Sequence, residues 1–153
     1  MPIQHMIYLY NYAGEPWKAQ YRTRQVLDKL YNYTSDGYCG DEDNGQTSAW
    51  YVMSALGFYP VTPATDEYIF GSPLFNEATL EFENGNILVI EAPGNDRQNI
   101  YIQNIKLNGK VIDRNFIRHA ELLNGGELVF TMGPEPERSR GITEDVCPFS
   151  MSK

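Results

Sequence analysis

Gly57-Phe58-Tyr59-Pro60-Val61-Thr62-Pro63 divides the chain in two. Glycine ends a helix easily because it takes backbone angles that other residues resist, and two nearby prolines exclude both a helix interior and a central strand. The stretch is therefore an extended connector, and the apolar period changes across it. On its N-terminal side Ala49, Val52, Met53 and Leu56 repeat at i, i+3, i+4 and i+7, the spacing of one helix face. On its C-terminal side the period drops to two, through Tyr68-Ile69-Phe70, Ala78, Leu80 and Phe82, Ile87 and Val89, Ile100, Ile102, Ile105 and Leu107, and Leu128 to Met132. A helical segment followed by a sheet segment is an α+β chain. The expected division is 1–62 helical, 63–133 an antiparallel β-sandwich segment, and 134–153 an extended C-terminal tail.

Working back from the connector, the helix before it starts inside an acidic loop, where Asp43 is placed to cap it and Gln46, three residues on, to return the second bond of a capping box. Before that loop, Pro16 to about Tyr33 reads as an amphipathic helix: Trp17, Tyr21, Val26, Leu27, Leu30 and Tyr31 form its apolar stripe, and Lys18, Arg22, Arg24, Asp28 and Lys29 its wet face. Ile3 to Tyr12 is apolar or aromatic on almost every side, which predicts a helix enclosed by protein. The chain enters this pattern at once from Met1, as though in mid-domain, so a fragment is expected.

Working forward, Asn84-Gly85 and Asn108-Gly109 each lie between apolar runs, the strongest short-range hairpin signal. Phe116 to Asn124 predicts one short helical turn closed by Gly125-Gly126. The proline-bearing polar stretch after Gly133 reads as a loose or docking extension.

The formal charge of −8 is spread along the 153 residues, which argues against nucleic acid or an anionic membrane as partner. A neutral polar ligand suits it better, and eleven tyrosines supply flat faces with polar tips, although core and rim packing explains most of them. The two cysteines are too few for a disulfide scaffold, and no apolar run approaches the roughly 18 residues of a membrane span.

The chemistry concentrates in Cys39-Gly40-Asp41-Glu42-Asp43-Asn44-Gly45-Gln46. Asp41 and Asp43 are two residues apart, so both side chains can enter one cavity while Glu42 points away, and a pair of like charges drives their protonation apart. Asp43 at a helix N-terminus is favoured as an anion, the form a water-activating base requires. The plain alternative, an N-cap beside two solvated acids, stands equally on the local pattern. A calcium loop fails on count, since Gly45 falls at its fifth position and Val52 at its twelfth. His5 and His119 have no ligand partner at metal spacing.

Several spaced motifs resemble a known family: Tyr8-Leu9-Tyr10-Asn11-Tyr12-Ala13-Gly14-x-Pro16-Trp17, Asp36 to Gln46, Ser48-Ala49-Trp50-Tyr51-Val52, Gly57-Phe58-Tyr59-Pro60-Val61, Gly71-Ser72-Pro73-Leu74-Phe75 and Leu107-Asn108-Gly109-Lys110. Together, from Pro2 to about Gly133, they resemble the C-terminal part of glycoside hydrolase family 92, calcium-dependent, inverting, exo-acting α-mannosidases of bacteria. The resemblance implies the last helices of an (α/α)6 barrel followed by β-sandwich strands. It implies Asp43 as general base with Asp41 assisting or sharing the water, and Gln46 and Gln4 as sugar-binding residues. The general-acid glutamate and the calcium ligands are expected upstream of this chain. Further expectations are a mannose-rich glycan with α-1,2 bonds as substrate, a periplasmic or extracellular location, and an isolated fragment that is inactive and self-associates through its uncovered helices. A second reading makes the strands after Pro63 a non-catalytic carbohydrate-binding or interaction module that the helices merely support.

Overall fold

The computed structural model describes residues 4–42 and 44–151. The first element is a 3-10 helix, Gln4–Asn11, where the sequence predicts an α-helix from Ile3, a residue outside the described ones. Tighter winding aligns residues three apart. Tyr8 and Asn11 are accordingly both buried, while Met6 and Leu9 are both exposed. Asn11 Nδ2 donates to the Tyr8 carbonyl at 3.0 Å and to the Phe70 carbonyl at 3.3 Å, which ties this turn to the sheet.

Helix α1, Pro16–Leu30, starts with proline in its first turn, where the missing N–H costs nothing, and ends before the expected Tyr33. One residue assigned to its wet face is buried. Arg24 is 4% exposed, and its guanidinium donates to the Pro73 carbonyl at 2.9 Å, Asn95 Oδ1 at 2.6 Å and the Asp96 carbonyl at 3.0 Å. Sequence periodicity treats arginine as a solvent-facing cation; here the five-donor fork finds three acceptors on the neighbouring loops, and burial holds its pKa below the usual arginine range. Helix α2, Gln46–Leu56, ends where expected: Gly57 sits at φ 103° and its N–H donates to the carbonyls of Met53 and Ser54.

Beyond the connector come β1 (Phe58–Tyr59), β2 (Glu67–Phe70), β3 (Glu77–Glu81), β4 (Ile87–Glu91), β5 (Tyr101–Leu107), β6 (Lys110–Val111), β7 (Phe116–Arg118), the short helix α3 (His119–Asn124) and β8 (Gly126–Gly133). The segment expected to be a single helical turn thus begins as a strand. Both Asn-Gly pairs make hairpins, joining β3 to β4 with Leu80 opposite Leu88, and β5 to β6 with Leu107 opposite Lys110. The strands form two sheets, in the orders β1-β2-β7 and β3-β4-β8-β5-β6. One pair, β4 with β8, is parallel, in contrast to the all-antiparallel pattern the turn signals suggest. Hairpin signals report only consecutive strands, and these two are separated by three other strands and α3.

Side-chain alternation in the small sheet makes it the middle layer. Tyr68, Phe70 and Ile117 join a core with Leu88, Ile90, Ile102, Leu128 and Phe130 of the large sheet, whereas Ile69 and Phe116 join a second core with Tyr8, Leu27, Tyr31 and Trp50 from the helical side. The chain after Gly133 is tied down by backbone and side-chain bonds. Arg140 donates to Asn115 Oδ1 at 3.1 Å and to the Arg114 carbonyl at 2.8 Å, the Asn115 N–H donates to the Val146 carbonyl at 3.0 Å, and the Phe149 N–H donates to Glu67 Oε2 at 2.8 Å. Burial pushes the Arg140 guanidinium down to about 10.

Candidate active site

The acidic loop lies at the N-terminus of α2, over a nest of aromatic rings. Tyr31 stacks on Trp50 with centroids 5.6 Å apart, meets Tyr51 at 5.0 Å, and meets Tyr38 edge-on at 5.9 Å. Trp50 is fully buried among these rings. Tyr38 extends the attachment to the helix through a 2.7 Å hydrogen bond between its hydroxyl and Ser48 Oγ.

Entry into α2 is made by Asn44 and Gly45, both in the left-handed region, at φ 59° and 85°. Asparagine and glycine are the residues that tolerate this conformation best, so the chain turns sharply there without strain elsewhere. Gly45 is the N-cap and offers no side chain. Gln46 is the first helical residue and exposed, so it does not return the capping-box bond expected of a third helical position. Glu42 does the capping from outside the helix: its Oε1 accepts the Ser48 N–H at 3.0 Å and its carbonyl accepts the Thr47 N–H at 3.2 Å. Thr47 answers by donating its hydroxyl to the Asp41 carbonyl at 2.9 Å.

Asp41 is exposed, and Glu42 is half-buried and turned onto α2. The structural work of Glu42 was not visible in the sequence: a glutamate six residues before the N–H it accepts matches no familiar capping spacing. Asp43 and the side chain of Gln4, both singled out from the sequence, lie outside the described residues. His119 is a surface residue whose Nδ1 meets the Tyr68 hydroxyl at 3.0 Å, and His5 is exposed. Among the described residues no three His, Cys, Asp or Glu side chains gather to hold a metal ion, and no helix is long and apolar enough to cross a membrane.

Residues 1–134 match the catalytic domain of glycosyl hydrolase family 92. The chain belongs to that family. Along its whole length this family 92 chain is 53% identical to the inverting mannosidase of the family from Bacteroides thetaiotaomicron, superposing with a TM-score of 0.93 on 21% of that protein. A family 92 α-mannosidase of the same organism, solved in complex with mannoimidazole, is 35% identical over 99% of the chain, with a TM-score of 0.94 on 20% of its own length. An uncharacterized secreted glycosidase of Arthroderma benhamiae is 32% identical over 147 residues, which are 94% of this chain and 19% of that protein. The family 92 chain thus spans about a fifth of the length of these relatives.

Proposed function

We propose that these residues are the C-terminal part of an inverting, exo-acting α-mannosidase and supply the general-base side of its active site. The observation that carries the reading is the 53% identity, over the entire chain, to a family 92 inverting mannosidase. The 3-10 helix, α1 and α2 then count as the last helices of an (α/α)6 barrel, 1–62, with 63–133 as its sandwich segment and 134–153 as an extension docked on it.

In this mechanism the Asp43 carboxylate takes a proton from water while the water oxygen attacks the anomeric carbon on the face opposite the leaving group. A carboxylic acid from outside this chain protonates the departing glycosidic oxygen, and the sugar leaves with inverted configuration. The two carboxyl groups stand roughly 6.5–9.5 Å apart to admit the water. Asp41, one residue before Glu42 and exposed, shares the water or steadies it. Gln46, exposed in the first turn of α2, and Gln4 hold the sugar. The substrate class is a mannose-rich glycan with α-1,2 bonds, and the setting is the periplasm or cell exterior, a reading supported by the secreted relative. Calcium belongs to the complete enzyme. Its ligands are expected upstream of this chain, and no step above passes through the ion.

The test uses the enzyme of full family length carrying this chain. Asp43→Asn is expected to lower kcat on α-1,2-mannobiose by at least about 10³-fold with the fold intact, and proton NMR during turnover should show β-mannose as first product. Unchanged turnover in Asp43→Asn, or α-mannose first, overturns the proposal. The 153-residue chain alone, lacking the acid, is expected to release no mannose.

A further inference from the structure

We infer that a cleft at the start of α1 binds an anionic sugar, a pyranose carrying a phosphate or carboxylate group, through Arg22 and Arg138 and the polar edges of Tyr10, Trp17, Tyr21 and Tyr101. Its volume is about 420 Å³, within the range of small-molecule sites. Tyr10 comes from the 3-10 helix, Trp17 and Tyr21 stand one turn apart on α1, Tyr101 opens β5, and Arg138 belongs to the chain after Gly133. That last piece is pinned on both sides of the cleft. Gln103 Nε2 donates to the Glu135 carbonyl at 2.9 Å, and the buried Arg140 donates to Asn115 Oδ1 and the Arg114 carbonyl. The acidic loop lies beyond the other end of α1, where Tyr31 follows Leu30; from Trp17 to Leu30 the helix rises about 20 Å. Tyr10 and Arg22 also border a neighbouring groove that holds Met6 and Leu9, and the wall changes across them from apolar to polar.

Three of the four rings carry a cation over one face. Lys18 Nζ lies 5.7 Å from the Tyr10 centroid, Arg22 Cζ 5.4 Å from that of Tyr21, and Arg138 Cζ 5.7 Å from that of Trp17. Such contacts occur roughly once per 70–80 residues, so about two are expected in a chain of this length and three meet in this one cleft. Lys18 is neutralised by Glu15 at 2.6 Å. Arg22 donates to the Gln25 amide oxygen at 2.7 Å, and Arg138 makes no hydrogen bond among the described residues. Neither has a carboxylate partner there, and no acid lines the cleft. Against a chain charge of −8 this is a local positive field, and a guanidinium fork matches the oxygens of a carboxylate or phosphate. A bare anion would use the cations alone. The hydroxyls of Tyr10, Tyr21 and Tyr101 and the Trp17 indole N–H make no hydrogen bond among the described residues, and Tyr21 is 43% exposed, so core packing does not explain these rings. Aromatic groups with free polar tips suit a polyhydroxylated ring. A nucleobase needs ring faces instead, and a cation already covers a face of three.

The experiment is isothermal titration of the enzyme of full family length with glucose 6-phosphate, glucuronate, glucose, inorganic phosphate and adenosine monophosphate. Glucose-based probes keep the readout apart from an active site proposed to take mannose. The better of the two charged sugars is expected to bind with a dissociation constant of about 1 mM. Glucose and inorganic phosphate should each bind at least about tenfold more weakly, since each makes only part of the contacts. Arg138→Gln should weaken the charged sugar about tenfold, and Tyr101→Phe, which removes one hydroxyl, about three- to fivefold. Raising the salt to 1 M should weaken it further in the parent and less in Arg138→Gln. No saturation by either charged sugar up to about 20 mM overturns the inference. Inorganic phosphate as tight as the sugar phosphate marks an adventitious ion only, glucose as tight as both charged sugars removes the role of the arginines, and adenosine monophosphate tighter than either marks a nucleotide site; each of these overturns it. So does parent affinity in both variants, which would put the sugar elsewhere. Should Arg138→Gln fold poorly, Tyr101→Phe decides in the same way.

Discussion

Tyr8 shows how a single polar atom is accommodated in the helical core. Its ring is fully buried, its hydroxyl donates to Ser54 Oγ at 2.8 Å, and burial holds its pKa far above the ordinary tyrosine value. Tyr8→Phe removes a buried hydrogen bond and leaves Ser54 Oγ without this donor, so a loss of about 1 kcal/mol is expected at pH 8. The loss should shrink at alkaline pH. Below about pH 10 the phenol is neutral in both states and its contribution is complete; above that value the unfolded chain releases the proton while the folded one retains it, so stability falls as pH rises. Phenylalanine has no proton to release, and thermal unfolding of parent and variant at pH 8 and pH 10.5 should show the gap closing. Burial raises Tyr12 and Tyr101 in the same direction, while Arg140 works the opposite way, so the comparison is between proteins at each pH. A gap that widens with pH counts against this account. The Tyr8–Ser54 bond joins residues 46 apart and left no trace in the sequence, which marked Tyr8 only as one aromatic among many.

At the scale of elements, α1 reaches the large sheet and its loops by polar hooks, while its apolar stripe packs on the small sheet. Besides Arg24, Gln20 is 5% exposed, and its Oε1 accepts the Ile102 N–H of β5 at 2.9 Å. Gln20→Leu keeps the volume but leaves that N–H without its partner, for an expected cost of about 1–3 kcal/mol in thermal unfolding. Amide exchange at Ile102 should accelerate with it; slow exchange in the variant argues that another acceptor takes over. The helices and strands themselves were legible because burial on one face imposes a period: 3.6 in α2, two in β2 to β5, with glycine and Asn-Gly marking the ends. What escaped were features with no period. Arg24 and Gln20 sit among polar residues of α1, and nothing local says that strand and loop acceptors lie opposite them. The parallel pairing of β4 with β8 is equally a matter of topology between distant segments. In the acidic loop the sequence singled out Asp41, but the anchoring by Glu42 depends on a turn whose dihedrals only the fold reveals.

For the whole molecule the decisive feature is the uncovered helical side. Met6 and Leu9 are 50% and 44% exposed and, with Ile7, Tyr10, Ala13 and Arg22, line a groove of about 400 Å³. Val52 on α2 and Leu30 at the end of α1 are similarly open. On the proposal that these helices belong to a barrel, the rest of that barrel covers them; in the 153-residue chain alone a second copy is the available cover. Magnitudes decide how tight such a pair is. Burying the exposed halves of Met6 and Leu9 yields about 1 kcal/mol each, hence about 4 kcal/mol for a symmetric pair. Loss of translational and rotational freedom costs at least that much, so Leu30, Val52 and their neighbours must contribute for any pairing to be seen. A weak dimer, with a dissociation constant in the range of about 0.1–1 mM, is therefore expected, and no stable assembly. Light scattering of the isolated chain should show a mass rising with concentration across that range, and Leu9→Glu should flatten the rise, because pairing would then bury two unpaired carboxylates. A monomer that stays monodisperse at 1 mM would show that these apolar residues are tolerated in water, and would remove the physical argument that this face is built to be enclosed.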